Sequence, residues 1–162
     1  MVRWSLLLAA ASVLALGTAS VGLAAQPDRF TDSVDYDGSS PCTGFDDNYV
    51  GHLDIQGITT YDNAGNPVRD VIHFKGWETN SRSDDPGVSI TATRNFTLIF
   101  DYASGTEMNL GMVFSQTAPG QGVLFHDVGN IAFHGEDVTI HGPHDVFVEG
   151  DAAFCNALIA VG

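Results

Sequence analysis

The chain has little positive charge. Its 162 residues include six Lys plus Arg against twenty Asp plus Glu, which gives a formal net charge of −14. Nucleic-acid binding depends on Lys and Arg to replace the counterions of the phosphates, and anionic membrane surfaces attract the same side chains. We therefore expect neither nucleic acid nor a membrane surface to be a partner of the folded protein.

The familiar catalytic motifs are absent as well. The sequence has no P-loop, no GxSxG elbow, no HExxH and no GxGxxG after a strand-like segment. It thus names no catalytic residue and predicts no metal ion or other cofactor. Hydrophobic residues nevertheless make up 44% of the chain, which is too much for a disordered acidic tail and indicates one folded domain with a buried core.

The first 25 residues have the layout of a secretory signal peptide. Arg3 supplies a positive charge, and residues 4–25 contain no charged side chain and are rich in Leu and Ala. Small residues permit cleavage after Ala24 or Ala25, and we take Ala25 as the boundary. An uncleaved membrane anchor is the alternative, but no basic stop-transfer cluster follows. We predict that residues 1–25 are removed and that the mature protein is secreted and free of the membrane.

Cysteine is scarce, and the two cysteines lie near opposite ends of the mature chain, at Cys42 and Cys155. An exported protein keeps disulfides, so we predict that these residues pair. Such a bridge closes a loop of about 113 residues, which the chain-entropy model values at roughly 4 to 5 kcal/mol. A metal site or a catalytic thiol is the alternative, but no CxxC or Cys-His signature accompanies either residue. The predicted bridge brings the two ends of the fold together.

Most of the chain has the pattern of short strands joined by turns. Between the turns the apolar residues recur with period two, most clearly from Val88 to Tyr102, and a pleated strand places such a set on one face. The turn signals lie at Asp62–Pro67, Ser83–Gly87, Ala103–Gly105, Ala118–Gly120, Gly135–Asp137 and Gly142–Pro143.

These patterns predict an all-β fold. Short hairpins between neighbouring strands, and ends that meet, favour a single antiparallel up-and-down barrel of about six to eight strands, with a two-sheet sandwich as the alternative. We assign residues 48–162 to this barrel domain and residues 26–47 to an acidic lead-in segment. Asp151 to Ile159 is the one segment suited to a short C-terminal helix. We expect the protein to be a monomer.

Arg94 interrupts the apolar face of its strand, and a cation is unfavourable to bury without a partner. A bulge at Arg94-Asn95 turning the side chain outward, a structural ion pair inside the barrel, and an anchor for an anionic ligand are three possible explanations. Asp127, on an apolar strand face between Phe125 and Ile131, is a candidate partner for Arg94.

Six histidines form a second group of candidates. The stretch from His141 to Asp145 places two imidazoles beside a carboxylate, yet its spacing matches no known ligand motif, so hydrogen-bonded or surface histidines are expected rather than a metal site. A barrel lumen could hold titratable groups near a ligand. The candidates for such positions are Glu78, Asp127, His73 and His126, and those selected as ligand-binding residues are Arg94, Asp127 and His126.

The C-terminal third resembles a group of uncharacterised, exported bacterial β-rich proteins. The residues that carry the resemblance are Ala118–Gly129, then Gly142-Pro143-His144-Asp145, then Gly150–Cys155, which together give a GPH…GD..FC ending. The resemblance implies an exported β domain and no particular activity. The layout is also similar to lipocalin-type and allene-oxide-cyclase-type barrels in architecture, although the GxW signature of lipocalins is missing.

The sequence thus favours a secreted binding module for a small hydrophobic molecule, held in the barrel lumen. One alternative is an isomerase-type or cyclase-type enzyme acting on a hydrophobic substrate in the same lumen. Another is a non-catalytic interaction protein of the cell envelope, which would expose a sizeable apolar patch.

Overall fold

The computed structural model describes residues 26–162, so the predicted signal peptide at residues 1–25 lies outside the described residues. Within the described range the chain is all-β, with seven antiparallel strands in one sheet followed by two short helices. The strands are β1 (Asp28–Pro41), β2 (Asp46–Tyr61), β3 (Pro67–Arg82), β4 (Ser89–Asp101), β5 (Thr106–Ala118), β6 (Gly122–His134) and β7 (Asp137–His141), and the helices are α1 (Asp145–Glu149) and α2 (Ala152–Val161).

The order of strands across the sheet is their order in the sequence, from β1 to β7. The predicted succession of neighbouring antiparallel strands is therefore confirmed. In residues 26–162, β1 and β7 are the two edges and do not pair with each other, so the sheet is open and a closed barrel is not confirmed. β7 is only five residues long, and aspartates line β1, two features that discourage an edge strand from pairing further.

β1 lies within the segment that we predicted to be an acidic lead-in, residues 26–47. It pairs with β2 over its whole length, from Asp28 opposite Thr59 to Pro41 opposite Asp46. Aspartates on both faces of β1 obscure its period-two pattern in the sequence. The sheet thus begins at Asp28 and not near residue 48.

The two faces of the sheet differ in character. On β4 the alternate residues Ile90, Ala92, Arg94 and Phe96 point to one face, which we call the inner face, and α2 covers one end of it. The opposite, outer face carries Trp77, which is 42% exposed, beside the polar side chains of β4, and further along the strands it carries the apolar pair Val71 and Ile99. The period-two pattern of residues 88–102 predicted this separation.

α2 supplies the hydrophobic core at its end of the sheet by packing against β3, β4 and β6. Phe154 and Leu158 are 1% and 0% exposed, and the Phe154 ring makes edge contacts with Phe114 and Phe125 at centroid distances of 5.2 and 4.9 Å. α2 confirms the predicted C-terminal helix, with bounds shifted by one or two residues, whereas α1 was not predicted.

The predicted disulfide between Cys42 and Cys155 is present, with the two Cα atoms 5.7 Å apart. It joins the chain just after β1 to α2 and so fixes the helix to the first hairpin. A disulfide of this kind fits an oxidising compartment. No helix among residues 26–162 is long and apolar enough to cross a membrane.

Candidate functional site

Arg94 lies on the inner face between two hydrophobic clusters. The helix-side cluster is formed by Phe45, Ile90, Ala92, Phe125, Phe154, Ala157 and Leu158, and the sheet cluster by Leu53, Phe74 and Phe96. The pairing of β4 with β5 shifts register between Thr93 and Asn95, so a bulge is present where the sequence suggested one. The bulge does not turn Arg94 outward, because its side chain is only 15% exposed.

The guanidinium of Arg94 binds groups from three other strands. Its Nη1 donates to Tyr36 Oη at 2.9 Å, and its Nε donates to the carbonyl oxygen of Val113 at 3.3 Å. Glu78 Oε2 lies 4.0 Å from Nη1, and the guanidinium carbon sits 4.2 Å from the centre of the Phe114 ring. Of the three explanations for Arg94, the structure shows the buried ion pair, and its acidic partner is Glu78.

The contact between Tyr36 and Arg94 also shows that the sheet is curved. β1 and β4 are separated by β2 and β3, and in a flat sheet they would lie about 14 Å apart. Side chains that stand perpendicular to a flat sheet could not meet across that span. The sheet therefore bends towards its inner face, which makes that face concave.

Tyr36 connects the two charged groups. Its hydroxyl donates to Glu78 Oε2 at 2.9 Å and accepts from Arg94, and Asn80 Nδ2 lies 3.3 Å from the other carboxylate oxygen. Burial is the main cause that raises the pKa of Tyr36 to about 12, and the Glu78 carboxylate adds to the increase while Arg94 opposes it. The phenol therefore stays neutral at ordinary pH and keeps the proton that it donates to Glu78.

Space for the Tyr36 ring comes from Gly51, its register partner on β2. A Cβ atom at residue 51 would lie 2.3 Å from Tyr36 Cζ, which is far closer than atoms can approach. A side chain at this position would push the phenol away from Glu78. Gly51 is thus part of the geometry that positions the network.

Asp127 and His144 form a second buried cluster, at the junction of β6 and α1. His144 Nδ1 contacts Asp127 Oδ1, and the two side chains are 2% and 4% exposed. The other oxygen of Asp127 accepts from the backbone N–H of Phe147 at 3.1 Å, and His144 Nε2 lies 3.2 Å from the carbonyl oxygen of His141. The predicted pair of Arg94 and Asp127 is therefore wrong, because Asp127 is engaged by the segment that follows β7.

The neighbouring residues reinforce this attachment. Asp145 Oδ2 accepts from the backbone N–H of His126 at 2.8 Å, and His126 Nδ1 lies 3.0 Å from Ser115 Oγ. Two consecutive residues of β6, His126 and Asp127, thus bind the two consecutive residues at the start of α1, Asp145 and His144. We call the set of Asp127, His144, Asp145 and the His126 backbone the β6–α1 clasp. Its contacts are internal to the fold.

The predicted site residues consequently separate into two groups. Arg94 lies in the network with Tyr36 and Glu78, whereas Asp127 and His126 lie in or beside the clasp. Among residues 26–162, no group of three or more His, Cys, Asp or Glu side chains is arranged to hold a metal ion.

Tyr36 is the network residue that the sequence analysis missed. The even-numbered positions Phe30, Val34 and Tyr36 are apolar or aromatic and lie among Thr, Ser and Asp, which is a weak signal of a strand face. Comparison of the chain with protein-family models, with curated proteins and with solved structures found no match.

Proposed function

We propose that this protein is a secreted binding module that holds a small, largely apolar molecule on the concave inner face of its sheet. The observation that carries the proposal is the network of Arg94, Tyr36 and Glu78, which places desolvated polar groups inside an otherwise apolar surface. Ligand sites for small molecules have this composition, with mostly apolar walls and a few oriented polar groups.

The apolar part of the proposed site is the sheet cluster and its surroundings. Leu53, Phe74 and Phe96 form its floor, with the Phe74 and Phe96 rings stacked at 4.8 Å. On the β1 side of the same face, Phe30 and Val34 are each 42% exposed. A ligand covering these side chains would remove apolar surface from water, which stabilises a complex by roughly 25 cal/mol per Å². Further partly buried side chains around the floor are Tyr36, Ile55, Ile72, Leu98 and Val113.

The polar part of the proposed site selects the ligand's head group. The described bonds from Nε and Nη1 leave several of the guanidinium's N–H groups for a further acceptor. Glu78 already balances the charge of Arg94, so a neutral acceptor suits the site better than a carboxylate. We therefore propose an apolar ligand that carries a hydroxyl or carbonyl oxygen.

The pKa of Tyr36 favours binding over catalysis. An acid or base catalyst works best when its pKa lies near the operating pH, whereas burial raises the pKa of Tyr36 to about 12. The phenol is therefore suited to positioning Arg94 and Glu78, and we place the isomerase or cyclase hypothesis second.

Thermal unfolding of the full chain with a panel of fatty alcohols, terpenoid ketones and polyketides tests the proposal. We expect at least one class to raise the unfolding temperature, since a ligand that binds only the folded state stabilises it. Leu98→Glu should abolish the shift. The matched control is Val148→Glu, on α1 where Val148 is 74% exposed, and it should leave the shift intact.

Arg94→Met separates the two parts of the site. It should lower the affinity for an alcohol or ketone about tenfold, which corresponds to a loss of about 1.4 kcal/mol in binding free energy. The affinity for a hydrocarbon of the same length should not change. The absence of any shift across the panel for the wild-type chain, or equal shifts for wild type and Leu98→Glu, would contradict the proposal.

A further inference from the structure

The outer face carries a straight row of side chains across six strands. Successive register partners place Asp35 of β1 beside His52, His52 beside Trp77, Trp77 beside Thr93, Thr93 beside Ser115, and Ser115 beside His126 of β6. Trp77 is at the centre of this row and is 42% exposed. The row therefore presents one large aromatic side chain flanked by hydrogen-bonding groups.

A depression of about 510 Å³ lies next to Trp77 on the same face. Lys75 lines it and is two residues from Trp77 on β3, which is about 7 Å along the strand. The other outward side chains that line it are Thr31, Asp54, Gln56 and His73. Because β1, β2 and β3 all contribute, the lining groups are fixed to paired strands and not to a loop.

The side chains of the depression offer both hydrogen-bond donors and hydrogen-bond acceptors. Asp54 accepts, Lys75 donates, and Gln56 and His73 can each do both. His52 is held beside them by its contacts with Asp35 Oδ1 at 2.6 Å and Asp54 Oδ1 at 3.4 Å. Adjacent hydroxyl groups, each of which also donates and accepts, would match this lining.

The charges of the surface narrow the class of ligand. Lys75 and Asp54 are register partners and both line the depression, so a cation and an anion lie on adjacent strands there. A polyanion would in addition meet a chain with a net charge of −14. An apolar molecule would have to desolvate Asp54 and Lys75 without replacing their hydrogen bonds. A neutral ligand rich in hydroxyl groups avoids the repulsion by the negative charge and can replace the hydrogen bonds that Asp54 and Lys75 lose to water. One apolar face of the ligand would contact Trp77.

We propose that the outer face is a carbohydrate-binding site, in which Trp77 stacks on a sugar ring and the depression lined by Gln56, His73 and Lys75 binds the hydroxyl groups of the adjoining sugar. The site lies on the face opposite the Arg94 network. It would bind a neutral oligosaccharide, and it is independent of the apolar-ligand site of the inner face.

Titration of the full chain with soluble hexasaccharides of glucose, N-acetylglucosamine, mannose and xylose tests this proposal. In a Trp4→Phe background Trp77 is the sole tryptophan, so its fluorescence reports directly on the site. We expect at least one hexasaccharide to change that fluorescence and to release heat in calorimetry, with a dissociation constant below about 1 mM.

Three variants locate the binding. Calorimetry should show that Trp77→Ala lowers the affinity for the hexasaccharide about tenfold. Gln56→Ala should lower the same affinity about threefold. Val123→Ala, which changes a side chain 54% exposed on β6, is the matched surface control and should bind as wild type does. Gln56 is exposed, so its variant tests the site even if Trp77→Ala does not fold.

Three results would overturn the proposal. One is the absence of binding by every hexasaccharide at about 5 mM, and another is binding that Trp77→Ala and Gln56→Ala leave unchanged. The third is self-association in sedimentation velocity that Trp77→Ala abolishes while no hexasaccharide binds, since this would make the face an interface between copies of the chain.

Discussion

Arg94 donates a hydrogen bond to the phenol oxygen of Tyr36 across 58 residues of sequence and across two intervening strands. The bond joins the first strand of the sheet to the fourth and does so above the paired backbones of β2 and β3. It depends on Glu78, which accepts from the same phenol. The three side chains therefore act as one unit that holds the curvature of the sheet.

Glu78→Leu should destabilise the protein by about 3 kcal/mol, because it leaves the Arg94 guanidinium buried without its carboxylate. Urea unfolding followed by circular dichroism measures the change. The double variant Glu78→Leu with Arg94→Met removes both charges and should lie within about 1 kcal/mol of wild type. Glu136→Ala, in the exposed turn between β6 and β7, is the control and should stay within about 0.5 kcal/mol. Additive effects of the two network substitutions would show that the pair is not coupled.

The stability of the folded protein should fall in alkaline solution through Tyr36. Its pKa is raised from 10.0 to about 12 in the folded state, so the folded chain disfavours the phenolate. The stabilising contribution is complete below pH 10.0, the ordinary pKa, and is lost as the pH rises towards about 12. Tyr36→Phe should flatten the dependence of the unfolding free energy on pH in this window.

Tyr102 also has a pKa raised to about 12, chiefly by its hydrogen bond to Asp70. Measuring the phenolate absorbance of two single variants assigns the titration of each tyrosine. Tyr36→Phe and Tyr102→Phe should each remove one phenol from the titration phase near pH 12. If Tyr36→Phe instead removes a phenol from the phase near the ordinary value of 10.0, Tyr36 is not buried in this network.

Asp127→Ala should loosen the C-terminal segment by removing the acceptor of the β6–α1 clasp. The substitution removes the carboxylate that accepts from the Phe147 N–H and contacts Nδ1 of the buried His144 ring, and we expect a loss of about 3 kcal/mol. Hydrogen exchange should rise in residues 143–149 before it rises in β2 and β3. Asp137→Ala, on the exposed β7, should leave the exchange pattern unchanged. Uniform acceleration throughout the sheet would contradict a local role for the clasp.

Replacing both Cys42 and Cys155 by Ala should lower the free energy of unfolding by about 4 kcal/mol. The bond closes a loop with a sequence separation of 113, and its loss restores conformational freedom to the unfolded chain. Urea unfolding of the oxidised wild type and of the double variant measures the difference. Equal stabilities would show that α2 is fixed by Phe154 and Leu158 alone.

Asp35→Asn should lower the pKa of His52. The hydrogen bond from Asp35 is the largest cause that raises this pKa above 6.5 in the folded state. The associated stabilisation is complete below pH 6.5 and is lost as the pH rises through the raised pKa. An NMR titration of the imidazole protons measures the change, with Asp137→Asn on β7 as the control. An unchanged titration of His52 would mean that Asp35 does not hold the ring.

Much of the sheet could be predicted from local signals. The stretch from Asp62 to Pro67 indicated a turn, and there Asp62 Oδ1 accepts from the backbone N–H groups of Ala64 and Asn66 at 2.8 Å. Such a turn depends on residues close in sequence, and so does the period-two pattern of β4. Closure depends on distant contacts. The disulfide did bring the chain ends together, but Cys155 belongs to the predicted C-terminal helix. The bond therefore joins α2 to the chain just after β1 and does not pair β1 with β7.

The site could be predicted only in part for the same reason. Arg94 stands out in the sequence because it is a lone cation on an apolar strand face. Glu78 is a diagonal neighbour of Arg94 on the adjacent strand, opposite Ala92. Tyr36, on β1, reaches Arg94 only through the curvature of the sheet, which no local pattern encodes. Asp127 also stands out in the sequence, as an anion on an apolar strand face, and so looked like a partner for Arg94. In the fold, the chain returns to β6 after β7, and His144 lies beside Asp127.

The disulfide also determines how the molecule would respond to mechanical force. A pull on the described chain ends acts on the chain outside the loop and passes through the sulfur atoms of Cys42 and Cys155, so β2 to β7 cannot be extended end to end while the bond is intact. Only β1 and the last turns of α2 lie outside the loop and can be extended. The Tyr36 side chain leaves with β1, so detachment of β1 by stretching would disrupt the Arg94 network while the disulfide keeps β2 to β7 within a closed loop.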